Sequence, residues 1–172
     1  ELMEYNEHFS GFAIGGLSVG EEKSDMYRVM ANIAPKMPED KPRYLMGVGD
    51  PLDMLEAVGS GIDMMDCVLP SRIGRHGTLF TAKGKVTIKS AKYKEDFTKP
   101  DEDCDCYVCR NYTRAYIRHL FNAGEFLAMH LATYHNLHFL IKLMNDAREA
   151  VIADNFYEFK EKFIKRYNGE ES

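Results

Sequence analysis

The sequence predicts an α/β fold of parallel strands and helices, followed by a metal-holding module built from a β-hairpin, a cysteine cluster and helices. Three observations predict it. Short apolar runs alternate with helical stretches over the first 70 residues. The stretch "CDCYVC" (104–109) puts three of the four cysteines inside six positions. From residue 111 onward apolar side chains recur at helical spacing.

The elements follow in order. "GFAIGGLSV" (11–19) reads as a strand ending in a glycine turn, and residues 21–33 read as a helix. "RYLMGVG" (43–49) is a second strand. "DPLDMLEAVGSG" (50–61) is a short helix, with Asp50 as N-cap, Pro51 at the first helical position and Gly59 to Gly61 as its stop. "IDMMDCVLP" (62–70) is a third strand. Strand, helix, strand, helix, strand implies parallel βαβ units, part of a doubly wound sheet or of a (β/α)8 barrel. "GTLFTAKGKVTIKSAKY" (77–93) holds two β-rich runs joined by Lys83-Gly84-Lys85, a hairpin. In the helical tail, Leu127, Leu131, Tyr134, His138 and Ile141 share one face. Phe156, Phe159, Phe163 and Tyr167 form an aromatic packing stripe, ended by Asn168-Gly169.

Composition narrows the class. The 172 residues are 45% hydrophobic and 28% charged, enough to bury a core. No apolar run approaches the ~20 residues of a membrane helix. The opening "ELMEYNEHFSG" lacks the basic start and apolar stretch of a secretory signal, so a cytoplasmic compartment is expected. The first residue is Glu, and the chain reads as a segment of something longer. The net charge of −5 argues against nucleic-acid binding over the whole surface. The distribution differs from the average. Residues 71–94 hold Arg72, Arg75, Lys83, Lys85, Lys89, Lys92 and Lys94, with His76 and no acid. Arg110, Arg114 and Arg118 would line one face of a helix. That is either a phosphate-backbone footprint or a solvated basic hairpin.

Three groups of residues can carry chemistry. Four cysteines are too sparse for a disulfide scaffold, and Cys104 and Cys106 are too close for an easy bridge. Three thiolates can instead converge on one tetrahedral Zn2+, with Cys67 or, better, a histidine (His119, His130, His135 or His138) as fourth ligand. Asp66 stands inside an apolar strand near its carboxyl end, where a buried or half-buried carboxylate costs several kcal/mol unless satisfied. It is a candidate nucleophile or acid/base, or else a partner of backbone amides or Arg72; Asp63 lies nearer the strand's start. The glycines of "IGGLSVGEE" (14–22) would let a ligand approach the backbone, although Ser18 and Glu21 also fit a capping box, the reading the residues favour.

"GGLSVGE" (15–21), "YLMGVGDPLD" (44–53), "DMMDCVLPSRIGRHG" (63–77), and "CDCYVC" followed by His135 together resemble the queuine tRNA-ribosyltransferases, the tRNA-guanine transglycosylases. The likeness covers nearly the whole chain and matches the carboxyl-terminal half of the bacterial type. It implies the C-terminal part of a (β/α)8 TIM barrel with a zinc-binding insertion. The last βα units would occupy 1–76, the zinc subdomain 77–145 and a C-terminal helix 146–172. It implies exchange of guanine at the anticodon wobble position of tRNA for the 7-deazaguanine preQ1, within queuosine synthesis. By the same resemblance, Asp66 is the nucleophile that forms a covalent ribosyl intermediate. Gly15, Gly16, Leu17, Glu21, Tyr44 and Met46 hold the base. Gly47, Val48, Gly49, Asp50, Pro51, Leu52 and Asp53, with Ser71, Arg72, Ile73, Gly74 and Arg75, contact RNA. Cys104, Cys106, Cys109 and His135 hold one structural Zn2+. The basic run and arginine stripe then face tRNA phosphates, and a homodimer is expected. Val19 leans to the bacterial branch, and Ser71 stands where threonine is common. The family's second catalytic aspartate has no counterpart in these residues. A non-catalytic, zinc-bearing tRNA-binding or partner subunit of the same fold is the alternative.

Overall fold

The computed structural model describes residues 2–170, with side chains from residue 5 onward. The chain forms two compact units, Glu1–Val68 and Leu69–Ser172.

The first unit is α/β. A 3-10 turn at Leu2–His8 leads into β1 (Phe12–Ile14), α1 (Lys23–Ile33), β2 (Arg43–Leu45), α2 (Pro51–Gly59) and β3 (Met64–Met65). The strands are parallel in the order β1-β2-β3, with Ala13 opposite Tyr44 and Tyr44 opposite Met64. Ile14, Leu45, Val48 and Ile62 pack with Met26, Met30 and Met37 into the core. The Asp50 cap is as expected: its side chain accepts from Leu52 N at 3.2 Å, and Pro51 opens α2.

The strands are shorter than the apolar runs suggest. Gly16 and Gly47 take left-handed φ of 76° and 79°, which end β1 and β2. The third run (62–70) is a strand only at Met64–Met65, because Leu69 and Pro70 begin α3 (Leu69–Arg75). Proline has no N–H to give to a ladder but is at home in a first helical turn. The capping box does not open α1. That helix starts at Lys23 behind Glu22, with no side-chain cap, and Ser18 has φ 60°.

The second unit holds α3, the antiparallel hairpin of β4 (Thr78–Thr81) and β5 (Gly84–Thr87), α4 (Tyr107–Asn111), α5 (Arg114–Asn122), α6 (Phe126–Ile152) and α7 (Phe156–Tyr167). Thr81 pairs with Gly84, so the turn is Ala82-Lys83, one step before the expected one. Leu79, Ile88, Val108, Ile117, Leu120 and Leu131 form the core around α6. α3 packs on α6 and β4, and a Cβ on Gly74 would stand 3.0 Å from the backbone nitrogen of Thr133. The boundary expected after residue 145 falls inside α6.

Two helix-face expectations are corrected. On α6, Leu127, Tyr134 and Ile141 are exposed, and the buried face is Ala128, Leu131, Ala132, His135, Asn136, Leu140, Leu143, Ala147 and Ala150. Leu131, from the expected face, is buried with Leu140 and Leu143, but four alanines fill the rest of the packed face, so it is turned away from Leu127, Tyr134 and Ile141. The arginine stripe does not form either. The chain breaks at Tyr112 and Thr113, so Arg110 sits on α4 and the other two on α5. Arg114 pairs with Asp96 at 3.1 Å and donates to the Pro100 carbonyl, and Arg118 donates to the Ser90 carbonyl. The aromatic stripe on α7 does pack: Phe163 stacks on Tyr167 and Phe159 lies tilted against Phe163.

Candidate active site and metal centre

The cysteine cluster and His135 converge in the second unit. Cys106 caps α4, its sulfur accepting from the Cys109 N–H at 3.4 Å, which turns both thiols inward. Asp101 braces the segment before them, accepting from Ala82 N and Asp103 N. His135 comes from the middle of α6. Its Nδ1 lies 3.9, 3.5 and 3.4 Å from the sulfurs of Cys104, Cys106 and Cys109. All four ligand atoms are buried and within 4.8 Å of one another. A zinc ion with Zn–S of about 2.3 Å and Zn–N of about 2.1 Å needs ligand–ligand edges of roughly 3.5–3.8 Å in a tetrahedron. The set fits one metal ion.

The surroundings support that fit. His135 Nε2 stands 2.7 Å from the Phe80 carbonyl oxygen. Its N–H donates there, which leaves Nδ1 with its lone pair toward the sulfurs. Crowding of Cys109 by Cys104, then by Cys106 and burial, pushes its thiol far up. Three neighbouring thiolates are tolerable only around a cation. Cys67 lies in the other unit, and among the described residues His119 and His130 have no place in the cluster. His138 instead meets Asp105 at 3.2 Å.

Asp66 is the residue just past β3, and the structure corrects the expectation of burial: it is exposed. It is nonetheless held. Tyr44 on β2 donates its hydroxyl to Asp66 Oδ1 at 2.6 Å, and the Gly47 N–H donates to the same oxygen at 3.1 Å. The Tyr44 hydroxyl first, then the Gly47 amide, keep the Asp66 carboxyl below the ordinary aspartate value. Asp66 is thus an ionised, reachable carboxylate at the carboxyl end of a parallel sheet. Asp63 accepts from the Arg43 N–H and has a backbone-fixing role.

The loop after β1 brings Gly15, Gly16, Leu17 and Glu21 to the same end of the sheet. Glu21 accepts from the backbone N–H groups of Ser18 and Val19, the second at 3.0 Å. Hydrogen bonds from its own amide, then those of Ser18 and Val19, lower its pKa. Met46 is exposed, its sulfur close to Gly15.

Within 47–53, Gly47 is exposed, Asp50 and Leu52 are half-buried, and Val48, Gly49, Pro51 and Asp53 are buried. Asp53 receives Lys23 Nζ at 2.8 Å and the Tyr27 hydroxyl at 2.5 Å, so its carboxylate ties α1 to α2. In the second unit Arg72 and Arg75 are exposed, Ser71 and Ile73 are half-buried, and Gly74 is buried. Sequence reasoning missed the Phe80 carbonyl, Asn136 and the Tyr44–Asp66 bond. Backbone groups carry no sequence signal, and Tyr44 stands 22 positions from Asp66.

Among the described residues no helix is long and apolar enough to cross a membrane. A family model described as queuine tRNA-ribosyltransferase matches residues 1–169. Curated proteins named queuine tRNA-ribosyltransferase are similar. One from Fusobacterium nucleatum subsp. nucleatum is 66% identical over 170 residues, 98% of this chain and 45% of that protein. One from Caldanaerobacter subterraneus subsp. tengcongensis is 60% identical over 161 residues, 94% of this chain and 43% of that protein. One from Bacillus pumilus is 57% identical over 159 residues, 92% and 42%. The chain spans less than half the length of the curated relatives it matches.

Proposed function

The chain belongs to the queuine tRNA-ribosyltransferase family, and from that premise we propose that it carries the nucleophile and part of the base pocket of a tRNA-guanine transglycosylase. The reaction is exchange of guanine at the anticodon wobble position of tRNA for preQ1, in queuosine synthesis. The observation that carries this reading is Asp66: an exposed carboxylate, held ionised by Tyr44 and Gly47, at the carboxyl end of a parallel sheet.

Asp66 attacks the ribose anomeric carbon and expels guanine, giving a ribosyl ester. The incoming base displaces the aspartate, and two inversions give net retention. Gly15, Gly16 and Leu17 offer backbone to the base. Glu21 helps to hold the aminomethyl group of the incoming base, and Tyr44 and Met46 sandwich the ring. Gly47, Asp50 and Leu52, with Ser71, Arg72, Ile73 and Arg75, contact RNA. Val48, Gly49, Pro51, Asp53 and Gly74 shape the backbone that carries those contacts. Binding to RNA phosphates weakens steeply with salt. Cys104, Cys106, Cys109 and His135 would hold zinc with four protein ligands, and the ion would then supply structure rather than a catalytic water.

The three parallel strands are the last part of a (β/α)8 barrel, the zinc subdomain is its insertion, and the protein acts in the cytoplasm as a homodimer. The test is exchange of labelled guanine into a wobble-guanine tRNA by the full-length protein, with Asp66→Asn beside it. Exchange that vanishes in the variant supports the reading. Exchange that survives it removes Asp66 from the chemistry. A zinc-loaded, folded protein that binds tRNA without exchange is a binding subunit.

A further inference from the structure

The two hydrogen bonds from other residues onto Asp66 land on one oxygen. Tyr44 Oη and Gly47 N both donate to Oδ1, at 2.6 and 3.1 Å, and among the described residues no other residue donates to Oδ2. The backbone makes this arrangement. Tyr44 is paired on both sides in the parallel sheet, opposite Ala13 and Met64. Gly47 turns its N–H toward Asp66 with a φ of 79°, which a side chain would resist. Gly49, two residues on, packs so closely on Cys67 that a Cβ there would lie 2.2 Å from the Cys67 Cβ. The loop after β2 therefore grips the chain at Asp66 and at the next residue.

We propose that Tyr44 and Gly47 form a two-donor cradle that divides the carboxylate, with Oδ2 as the attacking atom and Oδ1 as the oxygen the protein keeps. The Tyr44 hydroxyl is then a positioning group whose effect falls mainly on the breakdown of the ribosyl ester. This rests on the reading of Asp66 as nucleophile.

In the first displacement a lone pair of Oδ2 forms the bond to the anomeric carbon. The bond to guanine breaks and its electron pair leaves with the base. Oδ1 becomes the ester carbonyl oxygen, still facing Tyr44 and Gly47. In the second displacement a ring nitrogen of the incoming base bonds to the same carbon, and the Oδ2–carbon pair returns to Asp66. The proton the departing base gains is matched by the one the incoming base gives up. Hydrogen bonds to a full carboxylate are stronger than those to an ester carbonyl. The cradle therefore stabilises the aspartate as leaving group and speeds its release, while it lowers the carboxylate's basicity. The titratable group facing Asp66 from β2 is the Tyr44 phenol, and the following loop adds only an amide.

The experiment is Tyr44→Phe in the full-length protein, which keeps the ring and removes the donor. The ribosyl–protein adduct on tRNA is trapped by denaturation and its steady-state fraction measured. The pH profile of exchange and the equilibrium Kd of the base are read on the same samples. The cradle predicts an adduct fraction raised several-fold, an acid limb moved to higher pH and an unchanged equilibrium Kd for the base. Fluorotyrosine at position 44 keeps the donor and holds the adduct fraction at or below wild type, which separates the hydrogen bond from any loss of fold. Wild-type adduct fraction and an unmoved acid limb in Tyr44→Phe overturn the proposal. A raised Kd with both unchanged also overturns it, leaving Tyr44 a stacking residue alone. Asp66→Asn separates the two layers: an adduct that persists in that variant refutes the nucleophile itself.

Discussion

His135 and Phe80 are joined across 55 positions of sequence by a 2.7 Å hydrogen bond from the imidazole Nε2 to a strand carbonyl. The next residue on α6 completes the grip: Asn136 Oδ1 accepts from the Phe80 N–H at 2.9 Å. Adjacent helix residues thus take both backbone groups of Phe80. One of them presents its other ring nitrogen to three cysteines. The hairpin and the metal ligands form one cooperative piece.

Asn136→Ala tests the grip. Asn136 is fully buried and its amide also donates to the carbonyls of Pro70 and Thr78, each at 3.0 Å. Alanine strands three backbone groups in an apolar interior, at a cost of about 3 kcal/mol. Thermal unfolding should shift down by several degrees, with weaker retention of metal. An unchanged midpoint would show that the bonds are worth nothing net.

Removal of metal should behave as loss of fold. A strong chelator, or Cys104→Ser, is expected to lower helical circular dichroism and the melting midpoint together, with one equivalent of zinc released per chain. Retention of full helicity and midpoint after stripping would contradict a structural metal.

Gly49 has no room for a methyl group, because its Cβ would fall 2.2 Å from the Cys67 Cβ. Gly49→Ala should cost about 1–3 kcal/mol in denaturant unfolding. Cys67→Ala keeps the offending Cβ and should not rescue it. Cys67→Gly should. Rescue by the alanine would move the clash to the sulfur.

The Asp53 tie sets an alkaline limit. Burial first, and the Asp53 hydrogen bond second, push the Tyr27 phenol well above its ordinary value. An unfolded tyrosine titrates near pH 10. A folded-state value above that means the stabilisation is complete below about pH 10 and is lost as pH rises through the folded value. Unfolding free energy followed by denaturant from pH 8 to 11.5 should fall less steeply for Tyr27→Phe than for wild type. Equal slopes would remove Tyr27 from the alkaline transition.

The sequence was informative where chemistry depends on residue type. Three cysteines at short spacing and a proline behind an aspartate cap lead to the metal centre and to α2 as they stand. It was least informative where small residues or backbone decide. The packed face of α6 uses Ala128, Ala132, Ala147 and Ala150, so the apolar pattern favoured the exposed Leu127 and Ile141. Pro70 read as a strand end although it sits at the start of α3. Asp66 read as buried because its neighbours are apolar. Its side chain instead projects where the sheet ends, and no pattern of neighbours encodes the two donors that hold it.

The position of the covalent bond decides whether Asp66 is the nucleophile. The full-length protein is quenched during turnover with a wobble-guanine tRNA, then digested, and the peptide bearing ribose is sequenced by mass spectrometry. The adduct is expected on Asp66, formed in wild type and absent from Asp66→Asn. Ribose on another side chain, or turnover with no adduct in wild type or in Tyr44→Phe, would contradict it.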